Sequence, residues 1–155
     1  MKINRVIFDV DGVFTDGSFI YDSEGKRFKI FGAHDSDGLK LLANKNISLQ
    51  AITADHRGFS INKRRMDDMG LGLLLVSENE RLEFFKRQSH IDKICFMGDG
   101  HFDSMVFDIV GYSIAPANAL EITKNKASYV TKAQGGKGAV YEASIHILNL
   151  IKKYD

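Results

Sequence analysis

The segment from Arg5 to Gly17, RVIFDVDGVFTDG, constrains this chain more than any other. An apolar run that stops at two aspartates spaced i, i+2, with glycine directly after, reads as a buried strand whose carboxyl end delivers Asp9 and Asp11 together. Side chains two apart on a strand point the same way. Both carboxylates are therefore expected to face one small volume outside the carboxyl edge of a parallel sheet, where open α/β folds bind ligands. Two anions that close repel unless one is protonated or a cation lies between them, and hard oxygen ligands of this kind suit Mg²⁺. The arrangement points to phosphoryl transfer. A calcium loop of EF-hand type would need Gly at its sixth position and Glu at its twelfth; Phe14 and Ile20 stand there, so that alternative fails.

Strand-like and helix-like segments alternate along the rest of the chain, which predicts a Rossmann-like α/β parallel sheet with helices on both faces. SFIYDSEGKRFKIF predicts a β-hairpin flap turning at Asp22 to Gly25. DGLKLLANKN follows as a helix, residues 47–53 as a strand ending in Thr53, and 57–69 as a charged helix. GLLLV is a strand, ENERLEFFKRQ an amphipathic helix, and KICFMGDG a strand presenting Asp99. HFDSMVFDIV is a helix, GYSIA and SYVT are short strands, and AVYEASIHILNLIKKY is a C-terminal helix whose cationic end suits the macrodipole. With 155 residues and 44% apolar content, a single domain over 1–155 is expected. Only the hairpin separates the first strand from the first helix, leaving no room for a cap domain. A net charge of +1 argues against a nucleic-acid surface or a polybasic membrane anchor. MKINRVIF has no secretory h-region, so a soluble cytoplasmic protein is expected, with the lone Cys95 packed in the core.

Asp9 and Asp11, Thr53 and Asp99 all fall at the carboxyl ends of predicted strands, and their convergence marks a site better than any one of them does. GGKG, residues 135–138, offers backbone N–H groups of Gly135 and Gly136 and the charge of Lys137 to an anionic ligand. Among the five histidines only His101, inside GDGHFD, is expected near the site.

On these residues the chain resembles the haloacid dehalogenase superfamily: VIFDVDG, AITAD and GDGHFD match its successive motifs in order. DVDGVFTDG, the hairpin, FGAHDSDG and YVTKAQGGKGAVYE are similar to the capless phosphatases of 3-deoxy-D-manno-octulosonate 8-phosphate and of sialic-type sugar 9-phosphates. They also resemble the C-terminal domain of acylneuraminate cytidylyltransferases. The resemblance implies Asp9 as nucleophile and Asp11 as general acid and base. It implies Mg²⁺ held by Asp9, the backbone carbonyl of Asp11 and Asp99, with Asp103 supporting that site from behind, and Thr53 binding phosphoryl oxygens. Thr15, Asp35, Gly38, Asp55, Gly135, Gly136 and Lys137 are then expected to contact substrate. A homotetramer built on the hairpins, with the glycine-rich tail reaching a neighbouring site, follows from the same resemblance, as does a place in lipopolysaccharide or sialic acid biosynthesis.

The chain departs from the family pattern in three places. At the place of the usual motif lysine stands Arg81, with Lys86 and Lys63 as alternative cations for its role; ITAD carries Ala54 and Asp55 where Gly and Arg or Glu are usual; and Tyr141 stands where the tail usually has arginine. The expected activity is Mg²⁺-dependent hydrolysis of a phosphorylated sugar acid through an aspartyl-phosphate. The alternative is a weakly active or inactive oligomerisation or regulatory module associated with acylneuraminate cytidylyl transfer.

Overall fold

A computed structural model describes residues 2–154. Strand β1 (Arg5–Asp9) lies at the middle of a six-stranded, wholly parallel sheet with β4 (Ser48–Thr53), β5 (Leu73–Leu75), β6 (Ile94–Met97), β7 (Tyr112–Ala115) and β8 (Tyr129–Val130), in the order β5-β4-β1-β6-β7-β8. Because chain order reverses on either side of β1, the loop leaving it opens into the crevice where such sheets bind ligands.

Alternation along β1 sends Val6 and Phe8 into one core and Ile7 into another. The first core packs against α1 (Asp35–Ala43), α2 (Phe59–Asp68) and α6 (Ala139–Tyr154) through Leu39, Leu42, Met66, Val140 and Ile147. The second packs against α3 (Glu78–Lys86) and α4 (His101–Phe107), where the rings of Phe84, Phe85, Phe96 and Phe107 meet in sequence at 4.6–5.9 Å. Truncating the fully buried Phe96 to Ala should cost about 3–5 kcal/mol. Cys95 is buried and unpaired.

The elements match the sequence expectation in kind and shorten at their ends. Asn46 and Gly70, both at positive φ, close the turns after α1 and α2. The second helix starts at Phe59 rather than Arg57 because the Asp55 carboxylate accepts the Gly58 N–H. One helix is not evident in the sequence: α5 (Glu121–Lys126), six mostly polar residues without apolar periodicity, held by the Thr123 hydroxyl donating to the Gly100 carbonyl. A single 3₁₀ turn (Ile91–Lys93) was likewise unsignalled.

The hairpin, β2 (Ile20–Asp22) and β3 (Gly25–Phe28), is shorter than its sequence pattern and carries an irregularity between Ile20 and Tyr21. It stands apart from the main sheet and leaves Ile20, Tyr21 and Phe28 half or more exposed. Between β1 and α1 nothing but this hairpin and its flanking loops intervenes, and no cap domain is present among the described residues. No helix among them is long and apolar enough to cross a membrane.

Candidate active site

Asp9, at the end of β1, has its carboxylate buried within 4.8 Å of carboxylate oxygens of Asp99 and Asp103. Asp99 follows β6, and Asp103 lies one turn into α4. One Asp103 oxygen accepts the backbone N–H groups of Asp99 (3.0 Å) and Gly100 (2.9 Å), fixing the loop that carries Asp99. The other accepts Arg81 Nη1 at 2.5 Å, while Arg81 Nη2 donates to Asp9 Oδ1 at 3.3 Å. Burial raises the Asp9 carboxyl well above its ordinary range; Arg81 pulls it down, but Asp103, Asp99 and Asp11 push it up again. Asp99 is pushed up to about 7 by burial and then by Asp103. Burial works against the Arg81 charge, and the two carboxylates more than restore it. Its Nε–H is buried without a hydrogen-bond partner.

Clustered carboxylates with raised proton affinity are the signature of a place that favours a cation, and their hard oxygens fit a divalent ion such as Mg²⁺. Gly12 gives a second sign. It adopts φ +83°, and a Cβ there would lie 1.9 Å from Asp99 Oδ2, so the loop after β1 approaches Asp99 as closely as only glycine permits.

Asp11 lines the same cleft as Asp9, as expected, but stands outside the carboxylate cluster. Strand β1 ends at Asp9, and Asp11 lies in the turn beyond it. Its carboxylate is turned to the opposite wall, where Oδ1 accepts Lys29 Nζ at 2.6 Å and Oδ2 accepts Asn62 Nδ2 at 3.2 Å. Thr53, buried at the end of β4, has its hydroxyl oxygen beside the same carboxylate and accepts from the Asp55 N–H and from Asn62 Nδ2. Lys29 Nζ also donates to Asp55 Oδ2 (2.6 Å) and Asn62 Oδ1 (2.9 Å), and Lys26 reaches Asp55 at 2.5 Å. Burial alone would raise the Asp55 carboxyl; hydrogen bonds from Lys26, Lys29 and the Gly58 N–H outweigh it and hold the group at about 2.

Between these walls runs a cleft of about 610 Å³, lined by Asp9, Asp11, Asp55, Arg81, Asp99 and His101 among others. Phe19, Tyr21 and Lys26 bring the hairpin into its wall, with Lys26 Nζ 3.6 Å above the Phe19 ring centroid. Lys26, Lys29 and Asn62 were not singled out from the sequence. Lys29 is visible afterwards as a lone cation in the apolar FKIF, and Asn62 as a polar residue four positions before Met66 on the buried side of α2.

Several residues expected to contact substrate lie elsewhere. Thr15 is buried, and its hydroxyl accepts the N–H groups of Gly12 and Gly17, stitching the loop after β1. Asp35 is buried at the start of α1, outside the cleft lining. Gly38 permits α1 to meet α6: a Cβ would lie 2.8 Å from Ser144 Oγ and 3.0 Å from Tyr141 Cα. In GGKG the backbone groups are already engaged within this chain: the Gly135 N–H donates to Asn118 Oδ1, the Gly136 N–H to Val13 O and the Lys137 N–H to Gln134 O. Lys86 and Lys63 pair with Glu83 and Asp67 on exposed helix surfaces, so neither competes with Arg81 for the Asp9 carboxylate.

The haloacid dehalogenase-like hydrolase family matches residues 84–143. A 3-deoxy-D-manno-octulosonate 8-phosphate phosphatase of Haemophilus influenzae is 34% identical over 152 residues, covering 95% of this chain and 83% of that protein. The cobalt-bound structure of the deoxy-D-mannose-octulosonate 8-phosphate phosphatase from the same organism superposes with a TM-score of 0.84 at 33% identity, covering 98% of this chain and 91% of the other. The Moraxella catarrhalis 3-deoxy-D-manno-octulosonate 8-phosphate phosphatase, in complex with magnesium, phosphate and KDO, gives a TM-score of 0.83 at 28% identity over 98% of this chain and 91% of that one. The chain belongs to the haloacid dehalogenase-like hydrolases. Within them it is a phosphoric monoester hydrolase.

Proposed function

We propose that this chain, acting as one domain over residues 1–155, is a Mg²⁺-dependent phosphatase of a phosphorylated sugar acid. 3-Deoxy-D-manno-octulosonate 8-phosphate, the substrate named for its relatives, is the leading candidate and a nonulosonate 9-phosphate the second. The observation that carries the reading is the Asp9 carboxylate, bonded by Arg81 and grouped with Asp99 and Asp103 on the floor of the cleft.

Asp9 attacks phosphorus; the bond to the sugar oxygen breaks as Asp11 gives that oxygen its proton. Water then attacks the aspartyl-phosphate and loses a proton to Asp11, which restores Asp9 and releases inorganic phosphate. Asp9, the backbone carbonyl of Asp11 and Asp99 would hold Mg²⁺, with Asp103 bracing Asp99. A bound Mg²⁺ supplies charge that offsets the repulsion between nucleophile and phosphate. Arg81 adds a fixed cation beside the nucleophile. Thr53 keeps the wall behind Asp11 in order. His101 lies in the cleft lining and contributes to its shape.

The exposed Phe19, Ile20, Tyr21, Phe28 and Ile30 support a homotetramer assembled through the hairpins, since a lone two-stranded ribbon is marginal in water. The buried, unpaired Cys95 is in keeping with a cytoplasmic enzyme. The test is a release assay for inorganic phosphate from both sugar phosphates, with Mg²⁺ and with excess chelator, for the wild type and Asp9→Asn. Hydrolysis that survives either the chelator or the substitution overturns the mechanism.

A further inference from the structure

The two aspartates of the β1 loop each have a cation of their own, and the second comes from a distant element. Lys29 follows β3 of the hairpin, yet its side chain is entirely shielded from solvent, and its three ammonium hydrogens have three acceptors: Asp11 Oδ1, Asp55 Oδ2 and Asn62 Oδ1. Burying an ammonium group is costly unless it is fully paired, and fixing a lysine side chain costs rotamer entropy as well. A surface hairpin does not need such an anchor to pack, and its apolar residues instead face outward. What the ammonium does is hold Asp11. Asp11 lies in the same cleft as Asp9, Asp99 and Asp103, yet its side chain is absent from their cluster and lies against Asn62 and Thr53.

We infer that Lys29 is a positioning residue, which keeps the Asp11 carboxylate out of the metal-binding cluster and in one orientation for proton transfer to the leaving oxygen. The inference rests on the acid role given to Asp11 above. Without the lysine, Asp11 is free to turn toward a bound cation and become one more ligand, so that binding of the ester survives while protonation of its leaving group fails.

The experiment compares kcat/KM for an alkyl phosphate, the sugar acid phosphate, with that for 4-nitrophenyl phosphate, whose leaving phenolate departs without needing a proton. Lys29→Met keeps the length and bulk of the side chain and removes its charge. Its ratio of alkyl to aryl kcat/KM should fall by about tenfold or more, in the direction set by Asp11→Asn, because general acid assistance is worth about 10²–10⁴-fold. KM for the alkyl ester should change little, and the native mass of the assembly should hold. If Lys29→Met does not fold, Lys29→Gln, which keeps a polar head group without the charge, is measured instead and should show the same bias. Equal loss on both esters, or none, in the presence of a clear Asp11→Asn bias overturns the role of Lys29 alone. An unbiased Asp11→Asn overturns the acid role of Asp11, and the Lys29 inference falls with it.

Discussion

Arg81 Nη2 lies 3.3 Å from Asp9 Oδ1 while its Nη1 donates at 2.5 Å to Asp103, so one guanidinium, 72 residues beyond Asp9 and 22 before Asp103, joins the end of β1 to the first turn of α4. A lysine ammonium could reach either carboxylate, but the planar fork binds both in fixed directions and still leaves its Nε–H over. In the function proposed above, Arg81 takes the place of the family's usual lysine and also braces the acidic cluster through Asp103.

Arg81→Ala should therefore lower turnover by roughly two to three orders of magnitude, the scale for removing one preorganised charged donor from a dehydrated site. Lys86→Ala should stay near wild type, since Lys86 is bonded to Glu83 on the exposed side of α3. Steady-state kinetics of both variants on one substrate decide the matter. A crippled Lys86→Ala beside a normal Arg81→Ala would reverse the assignment.

Asp9, Thr53 and Asp99 were legible because the first two terminate apolar strands and the third stands two residues past one, and the ends of parallel strands converge. Arg81 was legible through its place in the motif order. Lys29 and Asn62 were hidden because their roles depend on how a hairpin folds back over α2, and no local period encodes that contact. GGKG is ambiguous for a related reason: glycines suit an anion cradle and tight packing equally well. Within this chain packing alone accounts for Gly135, where a Cβ would stand 2.0 Å from the Gly12 carbonyl oxygen. The offset of Asp11 from the Asp9 cluster has the same root, since alternation holds only while the strand lasts, and β1 ends two residues before Asp11.

The acidic cluster makes metal binding a stability effect. Asp9 and Asp99 both have raised proton affinity with burial as the main cause, so the metal-free fold carries repulsion that a divalent ion relieves. Mg²⁺ at about 100 times its Kd should add about 2.7 kcal/mol of stability by mass action, seen as a rise in Tm that chelator reverses. Asp99→Asn should lose most of that rise. A Tm that ignores Mg²⁺ in the wild type would count against the site.

Gly12→Ala tests the approach of the β1 loop to Asp99. The methyl group must displace the Asp99 carboxylate or the loop, and the positive φ adds strain of roughly 1 kcal/mol or more. Loss of the Mg²⁺-dependent Tm rise together with activity is expected. A variant that still responds fully to Mg²⁺ would show that Asp99 is not held where the geometry has it.

Assembly through the hairpin is open to a direct test. Phe28 is 63% exposed and Tyr21 56%, values that place large apolar surfaces in water unless a second copy covers them. Phe28→Asp combined with Ile30→Asp should convert the proposed tetramer to a monomer by sedimentation at micromolar concentration, with unchanged far-ultraviolet circular dichroism. A wild-type chain that sediments as a monomer contradicts the assembly outright.

Asp35 supplies a pH-dependent prediction independent of the cleft. It is 1% exposed, its Oδ1 has no hydrogen-bond partner, and burial lifts the carboxyl to about 6 although Arg65 and His34 pull it down. In the unfolded chain the group returns to about 3.8. A raised folded pKa means that the folded state binds the proton more tightly. The associated stability is present in full below about pH 4 and is lost as pH rises through about 6. By pH 7.5 the ionised carboxylate leaves the fold less stable by up to about 3 kcal/mol than it is with the acid protonated. Asp35→Asn removes the titration while keeping the shape. Measured in chelator, its Tm should exceed that of the wild type at pH 7.5 by roughly 2–4 °C for each kcal/mol recovered, and the gap should narrow toward pH 4. KM for the phosphate ester should not move, because Asp35 lies outside the cleft. A Tm difference that is the same at both pH values would mean that Asp35 does not titrate between them, and a raised KM would return it to the substrate-contacting residues.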